Sequence, residues 1–264
     1  MKSDAVRTLF RLPDKHALWR VPAVLLLVAV FPGACAWVFV AQPTLKRSET
    51  MAVQADPDAL RKHVRFFSED CHPRDADNID RLDRAADYIR EALVKAGART
   101  HDQTFDLQGK TYRNVIGRLG PATGALVVLG AHYDSCGLTP GADDNASGVA
   151  GLLELARLLG TAADELTHPV ELVAYTLEEP PYFATGDMGS ARHARALREA
   201  NTEVDAVVVL EMIGYFTDKR WTQRFPMRAL HLCYPSRGNF IGVVGRFADR
   251  PLTRRVKALM KGVT

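Results

Sequence analysis

From Ala125 to Ala131 the chain is apolar without a break (Ala-Leu-Val-Val-Leu-Gly-Ala), and from Ser147 to Leu159 apolar residues return with helical spacing. The first pattern predicts a buried strand and the second a helix entered through a small polar residue. Val170 to Leu177 and Ala206 to Leu210 predict two more strands of the same apolar kind. Helical periodicity covers Asp58 to Phe67 and Asn78 to Ala96; the latter sets Ile79, Leu82, Ala86, Ile89 and Leu93 on one stripe and stops at Gly97. Phe105 to Leu107 and Tyr112 to Leu119 predict a hairpin around Gln108-Gly109-Lys110. A last strand is expected over Asn239 to Gly245, followed by a basic helical segment from Leu252 to Lys261. Strands alternating with helices indicate an α/β domain with an open sheet.

Chemistry gathers where these strands end. His132 and Asp134 follow the first strand, and their alternation aims both at one side. Asp143, Asp144 and Asn145 occupy the loop that enters the next helix; Glu178 and Glu179 follow the second strand, and Glu211 follows the third. Ligands collect at the carboxyl ends of strands in open α/β sheets, so one imidazole and several carboxylates are brought to one crevice. A lone histidine or an acidic pair is commonly structural. Acidic residues at three converging strand ends are different, because they repel one another unless a cation lies between them. An imidazole with carboxylates suits a borderline or hard divalent metal.

These motifs, His132-Tyr133-Asp134, Gly141-Ala142-Asp143-Asp144-Asn145-Ala146-Ser147-Gly148, Glu178-Glu179 and Leu210-Glu211-Met212-Ile213-Gly214-Tyr215, resemble those of the zinc-dependent aminopeptidases with two co-catalytic metals. That family includes secreted bacterial leucyl aminopeptidases and, more distantly, glutamate carboxypeptidase and glutaminyl cyclase. The similarity spans roughly Asp56 to Gly245. It implies a three-layer sandwich, phosphorylase/hydrolase-like, with a mixed, mostly parallel central sheet flanked by helices. It implies zinc ligands at His132, Asp144, Glu179 and Glu211, with Asp144 bridging two ions, Asp134 buttressing His132 and Glu178 serving as general base. It also implies a cis peptide after Asp144, a peptide substrate, and a closing zinc histidine in a Ser-Asp-His context. No such run follows Gly245. His231, in Leu-His-Leu-Cys-Tyr-Pro, is the one histidine after Glu211. The domain, 57–264, therefore reads as a member incomplete at its C-terminus that binds one zinc firmly and a second weakly. Two rival functions follow from the same residues: a single-zinc amide hydrolase or cyclase, and a silent binding domain that has lost a ligand.

Composition adds a second feature. With 264 residues, 47% hydrophobic and 25% charged, most of the chain is ordinary globular material. Val21 to Ala41 carries no charge, and as a helix of about 31 Å it matches a bilayer core of about 30 Å. In residues 1–20, Lys2, Arg7, Arg11, Lys15 and Arg20 outnumber Asp4 and Asp14, an excess equal to the whole formal charge of +3. A basic cytoplasmic segment, a transmembrane anchor (21–41) and a polar linker (42–56) are expected, with the enzyme domain outside the cytoplasm. Ala34-Cys35-Ala36 offers the competing reading of a cleaved signal peptide and a secreted domain. The rest of the chain is charge-balanced, so no nucleic-acid partner is expected. Cys71, Cys136 and Cys233 show no thiolate metal spacing and leave their pairing open. In the loop after Glu179, Tyr182 and Phe183 are either a substrate rim or packing residues.

Overall fold

The computed structural model describes residues 26, 30–35, 38, 54–225, 227–232 and 234–261. They belong to two compact units: Met51–Thr217 with Asn239–Ile241, and Met1–Thr50 with Asp218–Gly238 and Gly242–Thr264. The expected segments 1–20 and 42–53 lie outside the described residues, as does most of the 21–41 span. Among the described residues no helix is long and apolar enough to cross a membrane.

The first unit opens with α1 (Pro57–Arg65), where the Asp56 carboxylate caps the helix by accepting the N–H groups of Asp58 and Ala59. A π-helical turn (Phe66–Asp70) continues it, and α2 (Ile79–Lys95) follows. The hairpin β1 (Arg99–Leu107) and β2 (Lys110–Leu119) turns at Gln108 and Gly109, both with positive φ, the two-residue geometry that matches strand twist. Then come β3 (Leu126–His132), α3 (Gly148–Thr161), β4 (Val170–Tyr175), α4 (Gly189–Glu199) and β5 (Val204–Val209).

The sheet order is β1-β2-β4-β3-β5. The β1–β2 and β2–β4 pairs are antiparallel, whereas β3 pairs in parallel with both β4 and β5. The sheet is thus mixed, and the predicted dominance of parallel pairing is only half met. By direction β2 alone opposes the other strands, because a hairpin rather than a crossover leads into it.

Alternation along each strand divides the apolar residues between two faces. Val115, Ala131, Leu172 and Ala174 join Leu82, Ile89 and Leu93 of α2 and Val149, Leu152 and Leu153 of α3 in the larger core. Each fully buried leucine there contributes about 1.5–3 kcal/mol relative to exposure. Ile116, Leu126, Val128, Val173 and Tyr175 form a smaller cluster on the other face, against Leu197 of α4. Gly130 in the apolar run has a steric reason: a Cβ there would overlap the Tyr175 ring.

Register places the chemistry. His132 pairs with Tyr175 and Gly130 with Val209, so the three parallel strands empty at the same edge. β4 stops at Tyr175, two residues before its predicted end, because Leu177 turns into the left-handed region (φ 57°) and leaves the ladder. The predicted strand over 239–245 is absent: these residues have no ladder partner, and apolar alternation alone does not make a strand. In the second unit, the basic segment forms α5 (Arg250–Met260), with Pro251 in its first turn, where no N–H is needed.

Candidate metal centre

His132 is buried at the last position of β3, and its Nε2 faces three carboxylates. Asp144 Oδ1 lies at 3.1 Å, Glu211 Oε2 at 3.4 Å and Glu178 Oε2 at 3.7 Å. On the other side of the ring, Nδ1 is 3.3 Å from Asp134 Oδ1. Two groups of the described residues have ligand atoms close enough to hold one ion, His132 with Asp144 and Glu211, and His132 with Glu178 and Glu179. The ring nitrogens of His132 and Oε1 of Glu179 are buried without a satisfactory hydrogen bond. Buried polar atoms left in that state call for a partner. A divalent cation among one imidazole and several carboxylates meets that demand, so the residues fit zinc.

Backbone geometry delivers each group. Asp134 accepts the N–H groups of Glu178 at 3.2 Å and Glu179 at 3.0 Å, which ties the end of β3 to the end of β4. The Asp144–Asn145 peptide is cis, as the resemblance implies. The neighbouring acids are clearly separated in space: Asp143 Oδ1 accepts from the N–H groups of Gly214 and Tyr215, whereas Asp144 turns to His132.

The local charge balance is lopsided. Burial disfavours a charged His132, yet contacts with Asp134, Asp144 and Glu211 outweigh it and push the imidazole up to about 12. Burial, then the charge of Asp144, pushes Glu179 up to about 7. Burial also raises Glu178, reinforced by Asp134, Glu211 and Asp144 against the opposing pull of His132. Asp144 moves the other way because the His132 imidazole lies against its carboxylate. The site thus drives its carboxylates apart, Asp144 toward the charged form and Glu178 and Glu179 toward the protonated form.

Two supporting residues escaped the sequence patterns. Arg74 is fully buried and gives its donors to carbonyls of Tyr133, Phe67, Pro140 and Gly141, so it staples the loop between His132 and Asp144. Desolvation lowers it to about 10, while Asp134, Asp144 and Glu179 act to raise it. Asn145 is buried behind Glu211. Neither residue type signals such a role without knowledge of its partners.

Tyr182 is buried; its ring meets the edge of Tyr112 and its hydroxyl donates to Gln108 Oε1 at 3.4 Å, which is a packing arrangement. Phe183 is 58% exposed. His231, in the second unit, lies against the rings of Phe225 and Trp221 and belongs to neither metal-holding group. Cys71 and Cys136 are free thiols, and Cys233 lies outside the described residues.

Residues 114–238 match the family described as Peptidase family M28. The chain is 46% identical over 227 residues to uncharacterized protein YfbL of Escherichia coli K12, covering 83% of this chain and 69% of YfbL. Leucine aminopeptidase 1 of Aspergillus clavatus is 28% identical over 166 residues, which cover 58% of this chain and 40% of that protein. The chain thus spans less than half of this second relative. Among solved structures, a Zn-dependent exopeptidase from Parabacteroides distasonis shares 25% identity with a TM-score of 0.53, covering 65% of this chain and 66% of its own. A glutaminyl cyclase from Bacteroides thetaiotaomicron shares 25% identity with a TM-score of 0.53, covering 64% and 65%.

Proposed function

The chain belongs to peptidase family M28, and from that membership we propose that it is a zinc-dependent exopeptidase releasing residues from the N-terminus of peptides. The observation that carries this reading is the convergence of Asp144, Glu211 and Glu178 on the unpartnered Nε2 of a buried histidine. His132, Asp144 and Glu211 would hold the first zinc; on the family resemblance Asp144 and Glu179 would give a second only a partial set, so one ion would bind firmly and the other weakly. Zinc at this site supplies a Lewis acid for the scissile carbonyl and for the attacking water.

The chain's own groups do the rest. Glu178 is the farthest of the three carboxylates from His132 Nε2 and has a raised pKa, so it is the one free to move a proton. It takes a proton from water and passes it to the leaving amine. Asp134 orients His132 through Nδ1 and holds the backbone of Glu178 and Glu179. As a further part of the proposal, the domain works outside the cytoplasm, tethered through residues 21–41 or released after cleavage there; fractionation of cells expressing the full chain tests this.

The test is hydrolysis of a panel of short peptides with free and acetylated N-termini. Release of the N-terminal residue only from the free set, abolished by a chelator and restored by zinc, is expected. Cleavage of the acetylated set at the same rate would contradict exopeptidase action at the N-terminus. The likeness to a glutaminyl cyclase favours one alternative, which the same panel detects: a peptide starting with glutamine would lose ammonia without chain cleavage.

A further inference from the structure

Asn145 spends its whole side-chain amide on the residues around Glu211 and the start of α3. Nδ2 donates to Leu210 O at 2.8 Å and to Glu211 Oε2 at 3.1 Å. Oδ1 accepts from the N–H groups of Gly148 at 3.0 Å and Met212 at 3.1 Å. A primary amide offers two donors and two acceptor sites, so none is left over. The orientation is also determined, since a flipped amide would set its donors against two N–H groups and its oxygen against a carbonyl and a carboxylate.

The oxygen of Glu211 that receives this bond is the one 3.4 Å from His132 Nε2. Asn145 therefore stands behind the ligand oxygen and fixes the backbone on both sides of it. Met212 has a φ of 48°, a conformation methionine seldom holds without outside support, and its N–H is one of the groups Asn145 grips. Glu211 has little else to orient it, its side chain being 47% exposed. Gly148 leaves the necessary room, because a Cβ there would overlap Asn145 Oδ1 and lie 2.6 Å from Leu210 O.

We propose that Asn145 is a positioning residue for metal binding, preorganising Glu211 as the third ligand beside His132 and Asp144. This rests on the metal-centre reading of the preceding subsection. Ligating carboxylates are commonly oriented by such outer hydrogen bonds, and losing one weakens metal affinity about 10- to 100-fold.

The test is zinc titration calorimetry on the full chain, with unfolding midpoints taken without metal, for the wild type, Asn145→Ala, Glu211→Gln and the double variant. Asn145→Ala is expected to weaken zinc about 10- to 100-fold. Glu211→Gln should weaken it at least as much, and adding Asn145→Ala to Glu211→Gln should then cost less than about 2-fold, because the asparagine acts through the glutamate. Losses that multiply in the double variant would make Asn145 a general structural residue and overturn the proposal. Unchanged affinity in Asn145→Ala, with Glu211→Gln weakened, overturns it while the metal centre stands. Unchanged affinity in Glu211→Gln sinks the metal-centre reading and the proposal with it. If the alanine variant does not fold, Asn145→Ser carries the same expectation: its hydroxyl can still accept the Gly148 N–H three residues on but places no amide donor at Glu211.

Discussion

Two buried histidines in the first unit face carboxylates, and their surroundings differ in charge rather than in residue type. His193, on α4, is 3.2 Å from Glu171 Oε2 through Nε2 and 3.2 Å from the Tyr175 hydroxyl through Nδ1. Arg118 donates to the other Glu171 oxygen at 2.6 Å. One carboxylate is shared by an imidazole and a guanidinium, so both ring nitrogens and both carboxylate oxygens have partners. Burial acts to raise Glu171, but His193 and Arg118 outweigh it and hold the group below its ordinary value. At His132 the balance is reversed: Asp134, Asp144, Glu178, Glu179 and Glu211 surround one imidazole, and Glu179 is driven up to about 7. A histidine beside a carboxylate is not in itself a metal signal. An uncompensated surplus of carboxylates around a buried imidazole is.

The sharpest break of that contrast is Glu178→Gln, which on the proposed mechanism removes the proton-transfer group and leaves His132, Asp144 and Glu211 to hold the metal. Peptide turnover should fall about 10²- to 10⁴-fold with zinc content unchanged, as activity assays paired with metal analysis will read. In the compensated cluster, Glu171→Ala leaves the Arg118 guanidinium without its counter-charge and His193 Nε2 without its partner, and denaturant unfolding should show a loss of about 3 kcal/mol with zinc affinity intact. A parallel drop in zinc affinity would mean that the two clusters are coupled.

Neutralising a carboxylate should have opposite signs in the two places. Glu179→Gln relieves repulsion in the metal-free protein and should raise its stability on the order of 1 kcal/mol after allowance for solvent screening. It should also weaken zinc binding, and stabilisation by zinc then shrinks by the corresponding mass-action amount. Glu171→Gln should only destabilise. Unfolding midpoints of both variants, with and without zinc, check the pair.

The smallest effect is a pH slope. Glu179 is raised from 4.5 to about 7 in the folded chain, so the folded state binds more protons than the unfolded state within that window. His132, raised from 6.5 to about 12, acts in the same direction above pH 6.5. Stability of the metal-free protein should therefore fall as pH rises from about 5 to about 8. Saturating zinc replaces the proton on His132 and should flatten or reverse the slope. A metal-free midpoint that climbs over this range would contradict the charge imbalance.

Strand ends were legible from sequence because an apolar run and the polar residue that follows it are both local signals. The runs before His132, Glu178 and Glu211 put β3, β4 and β5 in place to within a few residues. What local patterning missed depends on the partners of a residue. The β1 strand extends back to Arg99 through polar residues because each pairs with β2, a contact that alternation does not report. Asn239 to Gly245 has the apolar content of a strand but no neighbour to form a ladder. Arg74 and Asn145 are common polar residues in turn-like contexts, and only the fold reveals that one is pinned by four carbonyl bonds and the other by Glu211. The two adjacent aspartates could be told apart by resemblance alone; the structure separates them through the Gly214 and Tyr215 amides.

The most direct test of the central claim is anomalous diffraction at the zinc edge from crystals of the full chain grown with zinc. The account predicts a peak about 2.0–2.1 Å from His132 Nε2, with carboxylate oxygens of Asp144 and Glu211 at about 2.0–2.2 Å. A well-ordered crevice without a peak, with His132 Nε2 hydrogen-bonded to Asp144 in its place, would contradict it.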